Sequence, residues 1–203
     1  MKKPFAPSCE RNKTPILNEL KKIITKSDKN LLEVGSGTGQ HSVYFANEFP
    51  WLTWTTSDRK ENHEGIKSWL KEADLNNIKG PIEYEVGKSN FPKGTFNLVY
   101  ICNVVHIISW KKVKTLVKQM GQNLSDGAQV ILYGPYNFDG KFTSDSNKDF
   151  DKWLKDRDKE SGIRHFEDLS NVMTKNGIQF TEKVDMPANN KLLIFTKITN
   201  ISK

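Results

Sequence analysis

The segment Leu31-Leu-Glu33-Val-Gly35-Ser-Gly37-Thr-Gly39-Gln-His41 constrains this chain more than any other. Apolar residues run into three glycines at alternate positions, and a stretch with Val43, Phe45 and Ala46 on its apolar side follows from Gln40 to Glu48. A strand, a glycine turn and a helix in that order predict a βα unit. Its turn lets the backbone bend sharply and leaves room for a ligand to lie against it. The helix beyond then offers N–H groups with no partner inside the helix. The spacing is G-x-G-x-G, whereas a dinucleotide fingerprint is G-x-G-x-x-G, and Gln40 stands where its third glycine belongs. No glycine is therefore placed for close helix packing under a pyrophosphate. Glu33, two residues before the first glycine, is awkward beside a pyrophosphate and welcome beside a cation.

The remaining pattern repeats the strand–helix alternation. Thr14-Pro15 reads as an N-cap and first helical position, with Ile16, Leu17, Leu20, Ile23 and Ile24 on one stripe. Leu52–Ser57 and Ile82–Val86 read as strands flanking a polar helix around Glu61–Ala73. Phe96–Val104 is almost wholly apolar, as a central parallel strand buried on both faces requires. Ser109 caps a helix carrying Val113, Leu116, Val117, Met120 and Leu124. Gln129–Tyr133 is a further buried strand, helices follow near 147–158 and 166–175, and Gly177 ends the second. Ile178–Val184 and Lys191–Lys197, joined by Asp185-Met-Pro-Ala-Asn-Asn190, predict an antiparallel pair. The chain thus reads as one α/β domain over 1–203. Residues 1–29 form an N-terminal lid and helix; residues 30–203 form a Rossmann-like core with helices on both faces of a mostly parallel sheet.

Three carboxylates fall near strand ends in this scheme. Asp58 ends the second strand, 19 residues past Gly39, the spacing expected of a partner for ribose hydroxyls. Glu33 and Glu85 belong to the first and third strands. Ligands of open α/β sheets bind at the C-terminal ends of the strands. S-adenosylmethionine presents a ribose diol, an ammonium, a sulfonium and an adenine, which suit several carboxylates better than a diphosphate does.

The glycine motif and element order resemble class I S-adenosylmethionine-dependent methyltransferases. More closely, the chain resembles a methyltransferase-like family long carried as a domain of unknown function, over about residues 4 to 197. The marks are Pro4-Phe-Ala-Pro7 with Glu10-Arg-Asn12, Gly35-Ser-Gly-Thr-Gly-Gln-His41, Leu52-Thr-Trp54 with Ser57-Asp58, Asn103-Val-Val-His106 with Trp110, Tyr133-Gly-Pro135, Ser146-Asn147, and Met186-Pro-Ala-Asn-Asn190. The resemblance implies a seven-stranded sheet of order 3-2-1-4-5-7-6 and contacts to S-adenosylmethionine at Glu33, Gly35, Asp58 and Asn103. Ser36, Gly37, Gly39 and Glu85 join that set by position. Family members carry Asp where Glu85 stands, and their Pro-Gly-Gly before the fifth strand is Ser125-Asp-Gly127 here. Asn103-Val-Val-His106 also differs from the Asp/Asn-Pro-Pro-Tyr/Phe of enzymes that methylate exocyclic base nitrogens.

For the acceptor side, His106 is the candidate general base, its ordinary pKa of about 6.5 suiting it to take a proton near neutrality. A lining or capping role is the alternative. Arg11 and Asn12, placed before the first helix, would reach over the strand ends, with Arg11 able to grip an anionic group. Tyr133, Tyr136, Asn189 and Asn190 are expected in loops on the same side. The four histidines show no metal-ligand spacing, so no metal is expected. A chain of 203 residues barely exceeds the core fold, which favours a small-molecule acceptor. The rival readings are a non-catalytic cofactor-binding protein of the same fold and a nicotinamide-dependent oxidoreductase.

Charge narrows the partners. The net charge is +7, but all save four of the 31 basic residues are Lys, interleaved with acids. Arg is the commoner reader of bases and phosphates, so no specific nucleic acid is expected. No apolar run reaches the ~18 residues of a membrane span. The N-terminus lacks the apolar core of a signal peptide, and two cysteines, Cys9 and Cys102, fit a reducing cytoplasm.

Overall fold

The computed structural model describes residues 3–198, which divide after Tyr100 into two compact halves. The first half contains α1 (Pro7–Ile23), β1 (Asn30–Val34), α2 (Gln40–Glu48), β2 (Thr53–Asp58), α3 (His63–Ala73) and β3 (Ile78–Glu83). The second contains α4 (Trp110–Asn123), β5 (Gln129–Gly134), β6 (Tyr136–Asn137), α5 (Asp145–Arg157), β7 (Arg164–His165), α6 (Phe166–Lys175), β8 (Ile178–Asp185) and β9 (Lys191–Lys197). The boundary falls within β4 (Leu98–Cys102). The main sheet has seven strands in the order β3-β2-β1-β4-β5-β9-β8. With the two-residue strands β6 and β7 set aside as their own small sheet, this is the order 3-2-1-4-5-7-6.

In the first half, β1 pairs parallel with β2 and β2 with β3. The apolar residues of the strands and helices meet as their spacing requires. Leu31, Leu32, Trp54, Phe45, Ile66 and the α1 stripe Ile16 and Leu20 are fully buried. Phe45 packs on Trp54 and Tyr100 with ring centroids 5.7 and 5.8 Å apart, distances at which offset and edge contacts add to simple burial.

Two elements depart most from the sequence pattern. The first helix begins at Pro7, not at Thr14-Pro15, and carries Pro15 inside it. Pro7 supplies the same start signal earlier, with no N–H to leave unpaired at a first-turn position. Tertiary bonds then hold the added turns: the Ala6 N–H donates to Gln40 Oε1 at 2.5 Å, and a His41 ring nitrogen lies 3.2 Å from the Cys9 carbonyl. Glu10, Arg11 and Asn12 are therefore helical. The third strand runs Ile78–Glu83, four residues earlier than its apolar pattern suggests, and includes Gly80-Pro81. β3 lies at the sheet edge, where a residue without an N–H is tolerated.

In the second half, β9 pairs antiparallel with both β5 and β8, placing Val130 opposite Phe195 and Asp185 opposite Lys191. Lys191 and Asp185 form an ion pair at 3.0 Å. Ser109 caps α4 by accepting from the Lys112 N–H, and Val113, Leu116, Val117 and Met120 are buried along it. Among the described residues, no helix is long and apolar enough to cross a membrane.

Candidate functional site

The glycine turn of the first half is built as a rigid, open loop. Gly35 and Ser36 donate their N–H groups to the Ser57 carbonyl at 2.9 and 3.1 Å. Ser57 returns a hydroxyl to the Glu33 carbonyl at 2.7 Å and an N–H to Ser36 Oγ at 3.2 Å. The turn is thus sewn to the end of β2. Gly37 has φ +60°, which disfavours any side chain, and a Cβ there would meet nothing within 4 Å. Its space is open. Gly39, the N-cap of α2, has φ +89°, and a Cβ there would stand 3.2 Å from Ile66 Cα and 3.3 Å from Trp69 Cβ. The close helix approach that the sequence denied this loop is therefore made by Gly39, toward α3.

Asp58 is the hinge of the loop. Its Oδ2 accepts the Gly37 N–H at 2.7 Å, and its Oδ1 accepts from the Arg59 N–H at 2.7 Å and Asn62 Nδ2 at 2.8 Å. An ionised carboxylate offers about four acceptor positions, so capacity for a further donor remains. Glu33 is buried on β1, and its Oε2 accepts from the Ser42 hydroxyl and from Trp54 Nε1. Burial raises its carboxyl above the ordinary range, opposed by those hydrogen bonds. Glu85 lies past the end of β3 and pairs with Lys88 at 2.9 Å, its backbone N–H donating to Ser89 Oγ.

Around the entry to α2 stand Gln40 and His41, motif residues whose part in the fold only the structure makes visible. Gln40 Oε1 takes the Ala6 N–H and the Thr38 hydroxyl, and its Nε2 donates to Glu10 Oε1 at 3.3 Å. His41 is buried, which pushes it down to about 4 and keeps the imidazole neutral. Glu10 also pairs with Lys13 at 2.5 Å. Arg11 is exposed on α1 and Asn12 half-buried beside it.

The second half gathers most of the acceptor-side candidates about the ends of β4 and β5. Asn103 has φ +59°; its N–H donates to the Tyr133 carbonyl at 2.8 Å and its Nδ2 reaches Cys102 Sγ at 3.6 Å. A Cβ built on Gly134 would lie 3.2 Å from Asn103 Oδ1 and 3.3 Å from His106 Nδ1. Gly134 thus packs directly against both side chains, with no room for a Cβ. His106 is 1% exposed, and its Nδ1 has no hydrogen-bond partner among the described residues. Burial, with a contribution from the Arg164 charge, pushes it down to about 3. Its ring meets Phe150 edge-on at 5.6 Å.

Tyr133 and Tyr136, expected in loops, are in β5 and β6 and buried. Burial raises both phenols, and the neighbouring Cys102 thiol adds to each. Tyr133 hydrogen-bonds Asn190, whereas the Tyr136 hydroxyl has no partner among the described residues. Asn189 lies in the turn Pro187–Asn189, at φ +57°, and its carbonyl accepts from Asn147 Nδ2 at 3.3 Å. Neither Cys102 nor Gly134 is legible as a site residue in the sequence, because neither residue type announces a site without neighbours. Among the described residues, no group of three His, Cys, Asp or Glu is placed to hold a metal ion.

Residues 3–197 match a family described as a protein of unknown function (DUF938). Solved structures with the same fold include the apo form of the S-adenosylmethionine-dependent methyltransferase SibL, with 16% identity and TM-score 0.78, covering 95% of this chain and 56% of that one. An O-methyltransferase family protein from Burkholderia thailandensis aligns with 14% identity and TM-score 0.79, covering 92% and 56%. PigF with SAH aligns with 13% identity and TM-score 0.78, covering 94% and 64%. This chain therefore spans less than two thirds of the length of each of these structures.

Proposed function

The chain belongs to that family of unknown function, and we propose that it binds S-adenosylmethionine at the turn between β1 and α2 and methylates a small-molecule acceptor. The observation that carries this reading is the open space at Gly37 beside the Asp58 carboxylate, which has acceptor capacity left. A ribose needs such a surface: a backbone without side chains to lie on and a carboxylate to take its hydroxyl protons. The fold shared with S-adenosylmethionine-dependent methyltransferases supports it, as does the binding of SAH by PigF.

When bound, the cofactor would supply an electrophilic methyl group. This chain's residues would do the rest. Asp58 would accept from the ribose while holding the Gly37 N–H. Gly35, Ser36 and Gly39 would keep the turn rigid, and Glu33 would set the turn's base from within β1. Glu85 and Asn103 complete the proposed cofactor set. On the acceptor side, Asn103 Oδ1 and His106 Nδ1 lie close against Gly134, and the tyrosines and the histidine nearby are all uncharged near neutral pH. Such a lining favours an uncharged hydroxyl, amine or thiol over an anionic group. A histidine held neutral to about pH 3 is a hydrogen-bond partner first; base catalysis at His106 would require the bound acceptor to raise its affinity for a proton. Arg11, Asn12, Tyr133, Tyr136, Asn189 and Asn190 are proposed acceptor contacts because they match, or adjoin, separate motifs of the family.

Titration calorimetry tests the cofactor reading directly. S-adenosylhomocysteine is expected to bind with NAD silent; binding of NAD alone would replace this function with the oxidoreductase reading. If S-adenosylhomocysteine binds but labelled methyl groups reach nothing in a metabolite extract, the non-catalytic reading stands.

A further inference from the structure

The stretch Val104–Ile108, which leaves β4 and carries His106, is held through its carbonyl groups. Ile107 and Ile108 donate their N–H groups back to the Val104 carbonyl at 2.9 and 3.2 Å. The other four carbonyls are all taken by one short segment, residues 161–164. Arg164 Nε donates to the Val105 carbonyl at 2.9 Å and its Nη2 to the Ile108 carbonyl at 2.5 Å. The Gly162 N–H donates to the His106 carbonyl at 2.8 Å, and the Ser161 hydroxyl to the Ile107 carbonyl at 2.6 Å.

The clasping segment is itself fixed at three points. Asp151 of α5, buried, accepts the Ile163 N–H at 2.8 Å on Oδ1 and pairs with Lys155 on Oδ2 at 2.6 Å. Arg164 and His165 form β7 against Tyr136 and Asn137. Arg164 Nη2 also donates to the Glu160 carbonyl at 2.9 Å, closing the segment on itself. Four consecutive carbonyls satisfied by one segment fix the path of the backbone, and with it the direction of the imidazole between them.

We propose that Arg164, with Ser161 and Gly162, is the positioning element of the acceptor site: it sets the ring of His106 against Gly134 and beside Asn103. This rests on the reading of His106 as an acceptor-side residue. The planar fork of Arg164 reaches two carbonyls of the loop and one of its own segment at once, which a lysine ammonium on a flexible stem cannot reproduce. The charged groups bearing on the loop are Arg164 itself, Asp151 and Glu160, with Lys155 engaged by Asp151.

The test is the titration of the His106 ring by heteronuclear magnetic resonance on the full chain. In the unaltered protein the ring is expected to stay neutral to below pH 5. Arg164→Lys keeps the charge but loses the fork, so any change reports how the loop holds and encloses the ring rather than a missing cation. His106 is then expected to titrate between pH 5 and 7 as the loop loosens and admits water. Ser161→Ala, which removes one carbonyl bond, is expected to shift it less in the same direction. Val113→Ala, a cavity in the α4 core, is the control for general loss of stability and is expected to leave His106 where it was. The proposal is overturned if Arg164→Lys leaves the titration unmoved, or if Val113→Ala moves it as far. Calorimetry with S-adenosylhomocysteine on the same proteins separates the two readings: absence of binding to the unaltered chain would sink the proposed function without touching the His106 result.

Discussion

In the proposed function Asp58 would do two jobs with one carboxylate, and that makes its removal informative. It fixes the Gly37 N–H, a bond inside the loop, and in the proposed function it also accepts from a ribose hydroxyl. Asp58→Ala is expected to weaken S-adenosylhomocysteine binding by about 1.5–3 kcal/mol, the worth of a charge-assisted hydrogen bond, which calorimetry would read as roughly a 10- to 150-fold change. An unchanged affinity would move the ribose elsewhere. Gly37→Ala separates the loop from the ligand. Nothing lies within 4 Å of the new methyl, so the free protein would lose only the about 1–2 kcal/mol of a left-handed backbone. Cofactor affinity is expected to fall further, because the methyl stands in the space the ligand needs. Equal losses of stability and affinity would show that the open space is not where the ligand lies.

At the level of elements, the contacts of α1 with the entry to α2 centre on Gln40. One amide side chain takes the Ala6 N–H and the Thr38 hydroxyl and donates to Glu10. Gln40→Leu leaves a helix-entry N–H without its partner, so a loss of about 1–3 kcal/mol in urea-induced unfolding is expected, with earlier proteolytic cleavage near Pro4–Pro7. Full resistance would mean that α1 is held by its apolar stripe alone. The same region shows where sequence reading succeeds and where it stops. The β1–α2 turn, the Ser109 cap, α6 and β9 were legible because glycine, hydroxyl and period-2 or period-3.6 signals are local. The true start of α1 was not, because Pro7 and Pro15 give the same local signal and the choice lies with Gln40 and His41, some 30 residues on. β3 was misplaced for a related reason: Gly80-Pro81 looks like a break until the strand is known to be an edge. The carboxylate of Asp58 was legible by its distance from the glycines; its bond to Gly37 was not. The clasp of residues 161–164 on the post-β4 loop joins segments about 55 residues apart through backbone carbonyls, and these leave no mark on residue type.

Over the whole chain, charge and buried histidines set the response to salt and acid. The +7 charge is spread over lysines interleaved with acids, so duplex DNA is expected to bind weakly and to be released between about 50 and 200 mM salt; a sequence-dependent complex surviving that range would contradict it. The acid response is sharper. His41 and His106 are held down at about 4 and about 3 by burial, while in the unfolded chain each takes a proton near pH 6.5. Below pH 6.5 the unfolded state therefore binds protons that the native state refuses, and stability falls as the pH falls. Above pH 6.5 the full stability is present. Two such groups give a slope of about 2–3 kcal/mol per pH unit between pH 6 and the titration of His41 in the native state. Glu33 works the other way: its raised carboxyl binds a proton more readily in the native state than in the unfolded one, so ionising it costs stability as pH rises, and protonation relieves that cost in the carboxylate range. Urea unfolding at pH 7.5, 6.0, 5.0 and 4.5 measures the sum. Substituting His41→Phe is expected to remove about half of the slope between pH 6 and 4.5, because only His106 then separates the two states. If the slope is the same with His41 gone, that imidazole is charged in the folded protein and its contact with the Cys9 carbonyl is a charged hydrogen bond.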